Sequence, residues 1–81
     1  MNKEKFLCDL APGAKAAIVR IKGDSPFKKR LMEMGLIRGE LIEKVKLAPL
    51  ADPAEYIIKG YHVSLRNTEA RDIVVKFVDQ P

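Results

Sequence analysis

The chain has 81 residues, 47% of them hydrophobic, and 15 basic against 11 acidic side chains leave a formal net charge of +4. That length holds one domain with a single small core, and the apolar share excludes wholesale disorder. One cysteine, Cys8, excludes an internal disulfide, and no apolar run approaches the roughly twenty residues of a membrane span.

Residues 1–5 are polar and charged and are expected to fray. In Phe6–Leu10, Leu7 and Leu10 lie three apart, which suits one helical or 3₁₀ turn tucked against a core. Pro12-Gly13 has the residue order of a type II turn. Ala16–Ile21 reads as a strand, with Ala17, Val19 and Ile21 on one face and Ile18 and Arg20 on the other. Lys22-Gly23-Asp24 breaks it.

Residues 25–35 form the one stretch with a full set of helix signals. Ser25 suits the N-cap, Pro26 the first helical position and Gly35 the stop. Phe27, Leu31 and Met34 recur at i, i+4 and i+7, predicting a buried stripe on a helix over about 26–34. Lys28 and Lys29 stand in the first turn, where the helix dipole disfavours positive charge, so this helix is a candidate contact face.

Beyond Gly39, Leu41–Leu47 reads as a second strand, with Leu41, Val45 and Leu47 on one face, which Glu43 interrupts, and Lys44 and Lys46 on the other. Ala48–Pro53 carries two prolines and is a stiff loop. Tyr56–Lys59 and Tyr61–Leu65 make two short strands joined at Gly60, with Tyr61, Val63 and Leu65 alternating against His62 and Ser64. Asn67–Ala70 resembles a helical turn capped by Asn67 or Thr68, extending over about 67–71. Ile73–Val78 is a final β-branched and aromatic strand. Five or six short strands with one α-helix predict a mainly β, small-barrel domain over 1–81. The expected core includes Phe27, Leu31, Met34, Val45, Val63, Leu65 and Val75.

Few groups suit catalysis. Ser25 and Ser64 read as a cap and a strand position. Cys8 and His62 are 54 residues apart in the chain, with no third group to orient a nucleophile pair. No two carboxylates have a spacing that suggests acid–base work, and there is no Gly-rich phosphate loop. The expectation is a protein that is not an enzyme. A metal site would have to draw on His62 and Cys8 with nearby acids, without any ligand spacing to support it. Lys15–Lys46 holds nine basic and four acidic residues, a tilt that favours an acidic partner. RNA binding by a small basic barrel ranks behind a protein partner, because the basic stretch has only Phe27 and no aromatic run for stacking. No signal-peptide core is present, so a cytoplasmic protein meeting a membrane only through a partner is expected.

Three stretches carry a resemblance. Arg30–Gly39, Ala48–Pro53 and Leu65–Ala70 resemble, in order and without large insertions, the signature stretches of the FeoA family. Leu7, Leu10 and Gly13 are similar to that family's opening Leu-x-x-Leu-x-x-Gly. One departure is Ala51, where the family more commonly has Gly. The resemblance implies an SH3-like barrel, also found as the C-terminal domain of metal-dependent repressors. It further implies a non-enzymatic, cytosolic accessory of bacterial ferrous-iron uptake that associates with the membrane transporter FeoB through its cytosolic GTPase region. Lys28, Lys29, Arg38 and Leu50 are the candidate partner-binding residues. Transition-metal binding, with Fe²⁺ or another divalent ion, and self-association stay open as alternatives, and no resident cofactor is expected.

Overall fold

The computed structural model describes residues 4–23 and 26–78. Lys5–Phe6 forms β1 and pairs antiparallel with the last strand, Lys5 opposite Val75, so Lys5 belongs to the sheet rather than to a frayed start. A 3₁₀ turn, Leu7–Asp9, follows and buries both Leu7 and Leu10, as their spacing predicts. Pro12-Gly13 makes the expected turn: Gly13 has φ +85° and the Ala14 N–H donates to the Ala11 carbonyl at 3.0 Å. The remaining elements are β2 (Lys15–Ile21), α1 (Pro26–Glu33), β3 (Leu41–Lys44), β4 (Ala54–Ile58), β5 (Tyr61–Leu65), α2 (Asn67–Ala70) and β6 (Ile73–Phe77). All pairings are antiparallel in one sheet of order β1-β6-β2-β3-β4-β5, curled around a single core. This is the mainly β small-barrel architecture expected.

The structure decides which strand faces turn inward. In β2, Ala16, Ile18 and Ile21 are buried, whereas Ala17 and Val19 are only partly covered. A bulge between Ile18 and Arg20 explains the switch: Ile18 pairs with Val75 and Arg20 with Val74, leaving Val19 as the extra residue. One extra residue turns every later side chain to the opposite face. In β3 the inward residue is Ile42, while Leu41 and Leu47 are exposed and Val45, counted with the core above, is half-buried just past the strand end. The β2–β3 register sets Ile42 opposite the buried Ala16, so the two inward faces match.

The helix follows its local signals and then departs from its stripe. Ser25, the expected N-cap, lies outside the described residues. Leu31 is completely buried and Phe27 packs on the core from a partly covered position, but Met34 is 40% exposed. The helix ends in a Schellman motif: the Leu36 N–H donates to the Leu31 carbonyl at 3.0 Å and the Gly35 N–H to that of Met32 at 3.1 Å. Gly35 supplies the positive φ of +102° this requires. The reversal swings Leu36 back onto Leu31's side, and Leu36 takes the core position assigned to Met34; it is 1% exposed.

Lys59 and Gly60, both with positive φ, close the β4–β5 hairpin with a two-residue turn of the type I′ kind. Val63 and Leu65 point inward, while Tyr61 is 65% exposed. At α2 the capping position is Arg66, one residue before the expected Asn67 or Thr68; its N–H donates to the Glu69 carboxylate at 2.8 Å. The Asn67 N–H donates instead to Asp52 Oδ1 at 3.1 Å, tying this turn to the Ala48–Pro53 loop.

Candidate functional site

The candidate surface is assembled by the chain that enters and leaves α1. After Gly35 the backbone returns to β2: the Gly39 N–H donates to the Ile18 carbonyl at 2.8 Å, and the Ile18 N–H donates to the Glu40 carbonyl at 2.9 Å. These two bonds hold residues 36–40 alongside the bulged part of β2. A groove of about 220 Å³ runs between them, with Val19 and Arg20 on one wall and Lys28, Met32, Ile37 and Arg38 on the other. Its floor is core: Ile18, Ile21 and Leu36 are all buried. Met32 and Ile37, at 47% and 43% exposure, leave apolar surface open along it.

Among the described residues the charged side chains that line this groove are Arg20, Lys28 and Arg38. Glu4 meets the Arg20 guanidinium at 2.6 Å, with both side chains about half exposed. Arg38 is exposed and joins no ion pair among the described residues. On the helix, the Arg30 guanidinium lies 5.7 Å from the centre of the Phe27 ring, and Lys29 is exposed. Glu40 and Lys59, 3.4 Å apart, brace the far side of the turn.

The expected contact residues therefore fall on two surfaces. Lys28 and Arg38 share the groove, with Lys29 on the same helix. Leu50, 60% exposed, belongs to a second cleft of about 240 Å³ with Lys44, Lys46 and Val45. Val19, Arg20, Met32 and Ile37 were not marked by the sequence. In the sequence Met32 lies off the predicted helix stripe and Ile37 between the two turn glycines Gly35 and Gly39, while Val19 and Arg20 read only as positions of a strand.

The metal candidates are not brought together into a ligand set. His62 is exposed on β5, beside Tyr61, Glu33 and Met34. Cys8 is part-buried against the core, its Sγ 3.9 Å from Asp9 Oδ1. Burial, and then the Asp9 charge, push the Cys8 thiol above its ordinary value, which disfavours the thiolate a metal would need. Among the described residues no group of three or more His, Cys, Asp or Glu side chains is placed to hold a metal ion. Tyr56 is the buried polar curiosity: its hydroxyl has no hydrogen-bond partner among the described residues, and burial pushes the phenol up to about 12. Among the described residues no helix is long and apolar enough to cross a membrane.

Comparison with known proteins places these features in a family. The family described as "FeoA domain" matches residues 6–77. A Porphyromonas gingivalis Fe(2+) transport protein A/Fe(2+) transporter FeoB fusion protein is 44% identical over 72 residues, covering 89% of this chain. This chain spans only 8% of that relative's length. The NMR structure of a FeoA-like protein from Clostridium acetobutylicum superposes with a TM-score of 0.83 at 32% identity, covering 100% of this chain and 94% of the other. The crystal structure of Stenotrophomonas maltophilia FeoA complexed with zinc, described as an SH3 domain protein, superposes with a TM-score of 0.78 over 89% of each chain. At 24% identity that likeness shows the fold alone, and the fold is SH3-like.

Proposed function

This chain belongs to the FeoA domain family, and on that premise we propose that it is a non-enzymatic accessory of ferrous-iron uptake that docks on the cytosolic GTPase region of a FeoB-type transporter and modulates it. The observation that supports this reading most is the fused relative, in which a region 44% identical to this chain shares one polypeptide with the transporter. Covalent linkage holds two modules at high effective concentration, an arrangement suited to partners that also meet as separate chains. The basic face of α1 and its following turn supports it further, since an SH3-like barrel with an exposed cationic, partly apolar surface fits a protein contact better than a reaction site. In this reading the protein acts in the cytoplasm and reaches the membrane only through its partner.

The test is retention of this protein by the immobilised cytosolic region of such a transporter, without nucleotide, with GDP and with a GTP analogue. Binding in at least one state is expected. Folded protein that binds in none of them refutes the reading.

A further inference from the structure

We infer that the free edge of β5 is a self-pairing surface, on which a second copy of this chain adds its own β5 antiparallel, across a twofold axis through Val63. β5 is an end strand of the sheet and pairs with β4 alone. Lys59 and Gly60 make the two-residue turn, so Ile58 and Tyr61 exchange backbone hydrogen bonds and the ladder alternates from there. The N–H and C=O groups of Tyr61, Val63 and Leu65 therefore point to β4, and those of His62 and Ser64 point outward. Among the described residues no backbone group meets His62 or Ser64 on that outer side.

Three observations choose a second copy as the occupant. In a chain with 32% charged residues, β5 is the one described strand without Asp, Glu, Lys or Arg, and it carries no proline and no bulge. Edge strands are ordinarily blunted by such features. An acidic or basic segment finds no counter-charge on this strand, whereas its own sequence meets no like charge. His62 faces Ser64 of the second copy, Tyr61 faces Leu65 and Val63 faces Val63. Past the strand ends Arg66 faces Gly60, and Lys59 is held by Glu40 at 3.4 Å. The edge also borders uncovered apolar surface: Tyr61 and Met34, 65% and 40% exposed, line a hollow of about 310 Å³ with Glu33, His62 and Val63. An added β5 lays its Leu65 beside the Tyr61 ring. Finally, pairing β5 with β5 satisfies both free edges at once and closes a twofold dimer. The other end of the sheet does not extend it, because β1 has two residues, carries Lys5 and runs into the 3₁₀ turn. About four backbone hydrogen bonds join the copies. So small a contact makes a weak dimer that depends on concentration. It is independent of the docking reading above.

Sedimentation equilibrium of the whole chain alone, from about 10 μM to about 1 mM, reads the association, and amide hydrogen exchange at both ends of that range locates it. The average mass should rise from one chain toward two, and the His62 and Ser64 amides should exchange at least tenfold more slowly at the high concentration. His62→Lys places a charge on the edge, and Ser64→Pro removes an N–H that the β4 ladder does not use. Each should weaken association at least tenfold while melting within a few degrees of wild type when dilute. If Ser64→Pro fails to fold, His62→Lys and the exchange of wild type decide the matter. A chain that stays monomeric up to 1 mM overturns the inference, as does a dimer that both variants form equally well. A dimer whose His62 and Ser64 amides exchange as freely as in dilute protein places the contact elsewhere and overturns it too. Slowed exchange at these two amides only when the transporter's cytosolic region is added gives the edge to that partner and overturns self-pairing. None of these results with the chain alone bears on whether it docks on a transporter.

Discussion

Substituting alanine at Leu36 and, separately, at Met34 tests how the helix end organises the core. Leu36 is 1% exposed and sits beyond the Schellman turn in the same buried cluster as Leu31; Met34 is 40% exposed at the last helical turn. Removing a fully buried leucine costs about 2–5 kcal/mol, through lost burial and the cavity left behind. A surface-lying methionine costs under about 1 kcal/mol. At about 0.05–0.15 kcal/mol per residue the whole domain has roughly 4–12 kcal/mol of stability, so Leu36→Ala removes a large part of it. For a domain this size the melting temperature should drop by about 10–30 °C for Leu36→Ala and by only a few degrees for Met34→Ala. Urea unfolding followed by circular dichroism gives both free energies under one condition. Equal losses at the two positions, or a larger loss at Met34, would show that the helix stripe continues through Met34 and that Leu36 does not take its place.

Tyr56→Phe removes a buried hydroxyl that has no partner among the described residues, so it should be neutral or stabilising by about 1 kcal/mol in urea unfolding; a loss of similar size would show that the hydroxyl is in fact satisfied. The phenol's raised value adds a pH signature. Its contribution is complete below the ordinary value near 10 and lost as pH rises toward about 12, so wild-type stability should fall across that window and the Tyr56→Phe variant should lack that component. Cys8, raised by burial and by Asp9, should react with a thiol-specific disulfide reagent more slowly at pH 8 than a free cysteine peptide does, and Asp9→Asn should speed it. Lys29→Glu should leave the melting temperature unchanged or slightly higher, since an acid suits the first helical turn, while slowing association with the transporter region in surface binding kinetics at low salt. Unchanged association would reduce Lys29 to a solvated charge.

The elements governed by neighbours a few residues apart were determined by the sequence alone. Pro26 and Gly35 bracket α1, Leu7 and Leu10 make the 3₁₀ turn, and Gly60 sits in the tight hairpin turn because only certain residues accept the backbone angles there. The composition of short strands with one helix likewise sufficed for a mainly β barrel, and Lys28 and Arg38 were visible as charges. Which face of a strand turns inward was left to the tertiary structure. In β2 both alternations are apolar, Ala16 and Ile18 against Ala17 and Val19, and period two has no preference between them. The pairing with β3 and β6, and the bulge at Val19, break that tie. Leu36 displaces Met34 for a related reason: helical spacing ends where Gly35 reverses the chain, and position then depends on the turn rather than on a period of 3.6. The groove belongs wholly to the tertiary level. Its walls come from residues 19–20 and 28–38, brought together by two backbone hydrogen bonds to Ile18 that join chain segments about twenty residues apart.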